Sequence, residues 1–144
     1  MMRKRSRARE YALQLLYQRE ITTPEAKDWI EVFWKQLEAS RTDTDVSDEI
    51  KLFARELVER VEAHRAEVDQ AIESCAEHWV IDRMAVVDRN ILRIGAAEIL
   101  FNDDVPTKVA INESIELAKR FGDSESSRFV NGILDQVAKK HTAF

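Results

Sequence analysis

Apolar residues recur every three or four positions through most of this chain, and no stretch alternates with a period of two, so the expected elements are helices. The clearest face is Ile50, Phe53, Ala54, Leu57, Val58 and Val61, which begins just after Ser47, a residue type suited to capping a helix start. Upstream, Ala8, Ala12, Leu15 and Leu16 form the stripe of a first helix, with Tyr11, Leu13 and Tyr17 spread around it. Thr22-Thr23-Pro24-Glu25 reads as the start of a second, whose broad face carries Trp29, Phe33 and Leu37 beside Ile30 and Trp34. The polar stretch 41–45 reads as the loop after it. The phase resets at His64-Arg65 and again at residues 81–84, which yields a face of Val68, Ile72, Cys75 and Trp79, then one of Val87, Ile91, Ile94, Gly95, Ile99 and Leu100. Asn102-Asp103-Asp104 ends that helix.

Residues 105–135 read as a helical hairpin. Pro106 suits a first turn, Ile111, Ile115, Ala118 and Phe121 supply a face, and Gly122 is expected to stop the helix in a left-handed conformation. Asp123-Ser124 then offers capping oxygens to a last helix whose face holds Phe129 or Val130, Ile133, Leu134 and Val137. Glycine inside a helix costs about 1 kcal/mol relative to alanine. Gly95 and Gly132 are therefore each expected to permit a close helix crossing or the approach of another backbone. Asn112 or Asn131, set in apolar runs, is expected to be a buried amide that pins a helix to a neighbouring backbone. The expected fold class is all-α, with about seven helices in one domain.

Composition agrees: 44% hydrophobic and 34% charged residues with only three glycines and two prolines suit a helical protein. The lone Cys75 excludes an internal disulfide, and no signal sequence or membrane-length apolar run is present, so a cytoplasmic protein is expected. Charge changes the picture more. Residues 1–20 hold six basic residues against Glu10 and Glu20, a net +4 that leaves −9 on the other 124 residues of a chain whose total is −5. Arg3, Lys4, Arg5, Arg7 and Arg9 are expected to fray at the tip and to be helical by Arg9. They can neutralise phosphates, although such a tail taken alone reads more readily as a solvated terminus.

Catalytic chemistry is sparse. Cys75 and His78 could form half of a metal site, but His64 and His141 lack ligand-like neighbours, so Cys75 reads as core and no metal or cofactor is expected. No phosphate loop, nucleophile elbow or zinc-protease motif occurs, and Glu113 and Glu116 read as a solvated pair. The hairpin joint is the better candidate. Residues 123–127 would offer free N–H groups to a phosphate, with Arg128 beside them, Phe129 available for stacking on a base, and Tyr17 as a second platform. Taken alone, Phe129 reads as core.

Four motifs extend this reading: R-x-R-x-R-E-x-A-x-Q-x-L-Y-Q at 5–18, V-D-R-x-I-L-R-I at 87–94, V-P-x-K-V-A-I-N-E-x-I-E-L-A-K-x-F-G at 105–122, and F-V-N-G-I-L-D at 129–135. With them the chain resembles the NusB family of bacterial transcription antitermination factors. The resemblance covers the first helix and nearly all of the last sixty residues, and it is weak over 21–80. It implies two small helical bundles, about 1–80 and about 81–144, and no enzymatic activity. It further implies binding of boxA-type RNA from ribosomal RNA operons together with NusE, a small-subunit ribosomal protein, within a complex that includes other Nus factors and RNA polymerase. By motif, the RNA-binding residues it implies are Arg5, Arg7, Arg9, Tyr17, Glu125, Arg128 and Phe129, while Arg3 and Lys4 rest on charge alone. Asp88 and Arg89 are the implied NusE contacts. Gly95-Ala96-Ala97 is lighter than the family's usual pattern, and Asp123 and Glu125 set two acids at the RNA surface, where they would either read base donors or weaken phosphate binding. Two alternatives stand beside this: a homodimeric or protein-interaction module, and a domain like the RNA-recognition part of some ribosomal RNA cytosine methyltransferases. No parallel-sheet pattern accompanies it here, so methyl transfer by this chain is not expected.

Overall fold

A computed structural model of the chain describes residues 3–22, 28–40, 46–77 and 79–142. Every regular element among them is helical: α1 (Lys4–Thr22), α2 (Trp29–Ala39), α3 (Asp48–Ala63), α4 (Arg65–Cys75), a 3-10 turn (Ile81–Arg83), α5 (Val86–Phe101), α6 (Thr107–Phe121) and α7 (Ser126–Thr142). The fold is all-α, as the periodicity predicts. No helix among the described residues is long and apolar enough to cross a membrane. Packing divides the chain into two compact units, Met1–Val58 and Glu59–Phe144, with the division inside α3. The resemblance sets its boundary near residue 80; α4 packs on α5 and α7.

In the first unit α1 is buried almost all round, at Ala8, Tyr11, Ala12, Leu13, Leu15 and Leu16. Tyr11, Phe33 and Trp34 meet edge to face, with centroids 5.4 Å apart for Tyr11–Trp34 and 5.1 Å for Phe33–Trp34. The helix starts at Lys4, five residues before the point expected from the basic run. Tertiary contacts hold that first turn: Arg5 and Arg9, four residues apart on one face, both lie over the Phe53 ring, at 5.0 and 5.4 Å. Thr22 ends α1, its hydroxyl donating to the Gln18 carbonyl at 2.6 Å, so it does not start α2. The rest of that expected start, and the loop at 41–45, lie outside the described residues. Ser47 caps α3 as expected: its Oγ accepts from the Ile50 N–H at 3.3 Å.

In the second unit α5 is the central helix, buried without interruption over residues 90–99 and packed on α4, α6 and α7. Gly95 makes that possible, since a Cβ there would stand 2.5 Å from Leu134 Cδ1 and 2.6 Å from Ser114 Oγ. Arg93, 3% exposed, is held by both oxygens of Asp69 on α4, at 2.9 and 3.3 Å, and by Asn90 Oδ1 at 3.2 Å. A buried guanidinium needs such planar, multiply bonded partners. His64 forms the expected break between α3 and α4 and stacks on Phe101 at 3.8 Å.

Several local expectations are corrected. The buried face of α6 is Ala110, Ser114, Leu117 and Ala118; of the expected stripe only Ala118 is fully buried, while Ile111 and Ile115 are half-buried and Phe121 is exposed. Small side chains let α6 approach Gly95, and Ser114 is satisfied by the Ala110 carbonyl at 2.9 Å. Gly122 stops α6 in an extended conformation, φ −93° and ψ −170°, not a left-handed one. What requires glycine there is space: a Cβ would crowd Ser126 and come within 2.8 Å of the Ala118 carbonyl. Asn112 and Asn131 are exposed and pin nothing. Gly132 is also exposed, and a Cβ on it would meet no atom within 4 Å, so no close helix crossing explains it.

Candidate nucleic-acid interface

The basic turn of α1 is less free than its sequence. Arg3, Lys4 and Arg5 are exposed, Arg7 is half-buried, and Arg9 is only 3% exposed. Arg7 donates to the Tyr11 hydroxyl at 3.2 Å, and Arg9 is enclosed against Phe53. Lys4 pairs with Glu49 on α3 at 2.9 Å. The hydrogen bond from Lys4 and then its charge hold the Glu49 carboxyl below the ordinary glutamate value, with slight desolvation opposing and Arg5 adding to the effect. Arg3 and Arg5 are thus the arginines best placed to meet a phosphate. Tyr17 is 42% exposed on the same helix.

In the second unit the α6–α7 joint is locked by hydrogen bonds. The Asp123 carboxylate accepts from the Glu125 N–H at 2.9 Å, and Ser126 Oγ accepts from the Asp123 N–H at 3.0 Å. The buried Ser126 hydroxyl donates to Asp88 Oδ1, at the start of α5, at 2.7 Å. Arg89 Nη1 donates to the Asp82 and Met84 carbonyls at 3.3 and 3.2 Å, which braces the 3-10 turn. Of the two residues expected as partner contacts, Asp88 therefore also ties α5 to the joint, and Arg89 braces the 3-10 turn. The phosphate site expected at residues 123–127 keeps only part of its N–H donors. The N–H groups of Asp123, Glu125 and Ser126 are already bonded within the loop, and a carboxylate stands beside them.

Arg128 and Glu125 are exposed, and Phe129 is half-buried. Phe129 meets Trp79 edge to face at 6.3 Å, and Trp79 is 48% exposed. Periodicity places Trp79 on the core face of α4, but that helix ends at Cys75, which frees the indole to stand before the 3-10 turn. Its proximity to the second reset was the available signal. The aromatic pair separates two hollows: one of about 270 Å³ lined by Arg83, Asp88, Asp123 and Glu125, and a larger groove of about 680 Å³ along α7. Cys75 is half-buried on that groove, while His78 lies outside the described residues. The chemistry on offer is an aromatic platform with Arg128 on the groove side and Arg83 among the carboxylates of Asp88, Asp123 and Glu125 on the other, a set suited to an unstacked base and its phosphate.

A model of the NusB family matches residues 6–139, which span both units. The chain belongs to the NusB family. Among its relatives, the transcription antitermination protein NusB of Myxococcus xanthus (strain DK1622) is 50% identical over 135 residues, 93% of this chain and 94% of that protein. The NusB of Anaeromyxobacter dehalogenans (strain 2CP-1 / ATCC BAA-258) is 47% identical over 138 residues, covering 96% and 92%. Solved structures agree. NusB of T. maritima superposes with a TM-score of 0.79 at 35% identity, covering 98% of this chain and 94% of that one. NusB in a complex of the antitermination factors NusB and NusE with double-stranded RNA does so at 0.79 and 30% identity, covering 97% and 99%. The motifs at 87–94 and 129–135 include Asp88, which bonds to the joint, and Phe129, which meets Trp79.

Proposed function

We propose that this protein is a non-enzymatic, RNA-binding transcription antitermination factor of the cytoplasm, which binds boxA-type RNA of ribosomal RNA operons together with NusE and joins other Nus factors and RNA polymerase. The observation that carries this reading is the pair of exposed Trp79 and half-buried Phe129 beside Arg128, in a chain of a family one of whose members has been solved with NusE and RNA. The exposed Arg3 and Arg5, with Lys4 and Arg7 partly engaged, supply charge for phosphates. Phe129, with Trp79 as an addition to the expected set, supplies the stacking surface, and Tyr17 is a further platform on α1. Arg9 serves by holding α1 against Phe53. Asp88 and Arg89 are the proposed NusE-side residues, and through Ser126 and the 3-10 turn they tie partner binding to the shape of the RNA surface.

The test is titration of labelled boxA-type RNA with the protein alone and with NusE present. NusE is expected to raise RNA affinity, and Phe129→Ala to lower it by about 1–3 kcal/mol, the usual worth of one base–aromatic stack. RNA binding absent with and without NusE would overturn the proposal.

A further inference from the structure

We propose that the groove along α7 is a second RNA subsite, which carries single-stranded RNA onward from the Trp79–Phe129 pair; this rests on the RNA reading above. Arg128, Gly132, Gln136 and Lys140 follow one another at four-residue intervals, so they share one face of α7, and all four line the groove of about 680 Å³. Ser74, Cys75, Ala76 and Glu77, at and just after the end of α4, form its other wall with Trp79. At the helical rise, the face from Arg128 to Lys140 runs about 18 Å. That length accepts up to about five stacked nucleotides at about 3.4 Å each.

Each position offers something a nucleic-acid strand uses. Arg128 stands at the aromatic end, exposed, and its guanidinium makes no hydrogen bond or ion pair with any described residue. Its planar fork suits a phosphate. Lys140 closes the far end, where its ammonium donates to the Ser74 carbonyl at 3.1 Å, a bond that uses one of three N–H groups. Gln136 can both donate to and accept from a base edge. Gly132 lies between them. Its helix would be firmer with alanine, and a Cβ would touch nothing within 4 Å, so the protein's own packing does not call for glycine here. It leaves bare backbone on the groove wall, where a ribose or phosphate can approach more closely than any side chain would permit. The cation at each end and the continuity with the aromatic pair favour RNA over a peptide, against the single opposing charge of Glu77.

The experiment compares a boxA-type RNA with the same RNA lengthened by five nucleotides at one end or the other, using the full chain with NusE. One lengthened RNA is expected to bind about tenfold more tightly than the parent. In Gly132→Leu and, separately, in Lys140→Gln, the ratio of the two affinities should fall to about one, with thermal melts checking that both variants are folded. If neither extension improves binding to the unaltered protein while the parent RNA still binds, the groove proposal is overturned and the RNA function stands. If the parent RNA does not bind at all, both are overturned. If Gly132→Leu weakens NusE binding and leaves the extension gain intact, the groove belongs to a protein and the proposal is wrong.

Discussion

Arginines that look equivalent in the sequence divide into two jobs once their surroundings are known. Arg9 is enclosed and lies over Phe53, whereas Arg3 is exposed. Arg9→Gln should therefore lower the urea midpoint, by about 1 kcal/mol or more in stability for the lost cation–π contact and packing. Arg3→Gln should leave the midpoint unchanged and weaken RNA binding. Equal effects of the two variants on stability would contradict the division. Lys4 is intermediate, since RNA must compete with Glu49 for it. Because the folded Glu49 carboxyl is held below its unfolded value, this pair's contribution is fully present above the ordinary glutamate pKa and is lost as pH falls through the depressed one. The competition with RNA is thus at full strength near neutrality.

Helix boundaries were legible wherever local chemistry sets them. Ser47 caps α3, His64 breaks α3 from α4, the reset at 81–84 is a 3-10 turn, and Asn102 follows α5. The orientation of α6 was not legible, because periodicity favours the large Ile111 and Ile115, while contact with α5 selects the face of Ser114, which is small enough to meet Gly95. The helix glycines show the same divide, and they make opposite predictions. Gly95→Ala should destabilise by about 1–3 kcal/mol through overpacking against Ser114 and Leu134. Gly132→Ala should stabilise by up to about 1 kcal/mol, since its Cβ meets open space and the helix gains propensity. Denaturant titration of the two variants separates these signs, and a loss of stability in both would refute the account of Gly132.

Charge is concentrated rather than shared across the chain, +4 on the first twenty residues and −5 in total. RNA affinity should accordingly fall steeply with salt although the protein is acidic, and removing one phosphate-contacting arginine such as Arg5 should reduce the slope of log affinity against log salt by about 0.7. A flat salt response would exclude the electrostatic part of the proposed function. The proposed function draws on a different kind of surface in each unit: charge and Tyr17 on α1 in Met1–Val58, and the Trp79–Phe129 pair in Glu59–Phe144.

The sequence by itself determined the helical class, most breaks between helices, the basic first helix and the hairpin of residues 105–135, because each depends on neighbours within a turn or two. Its long motifs also carried the resemblance that the family match of residues 6–139 established. Only the tertiary structure decided which polar groups are engaged. It paired Arg93 with Asp69 and Lys4 with Glu49, bound Ser126 to Asp88, and engaged the N–H groups of Asp123, Glu125 and Ser126 among those a phosphate was expected to use. It also released Trp79 from the core to join Phe129, and it left Gly132 open. These outcomes depend on contacts between residues distant in the chain, which spacing along one helix does not encode.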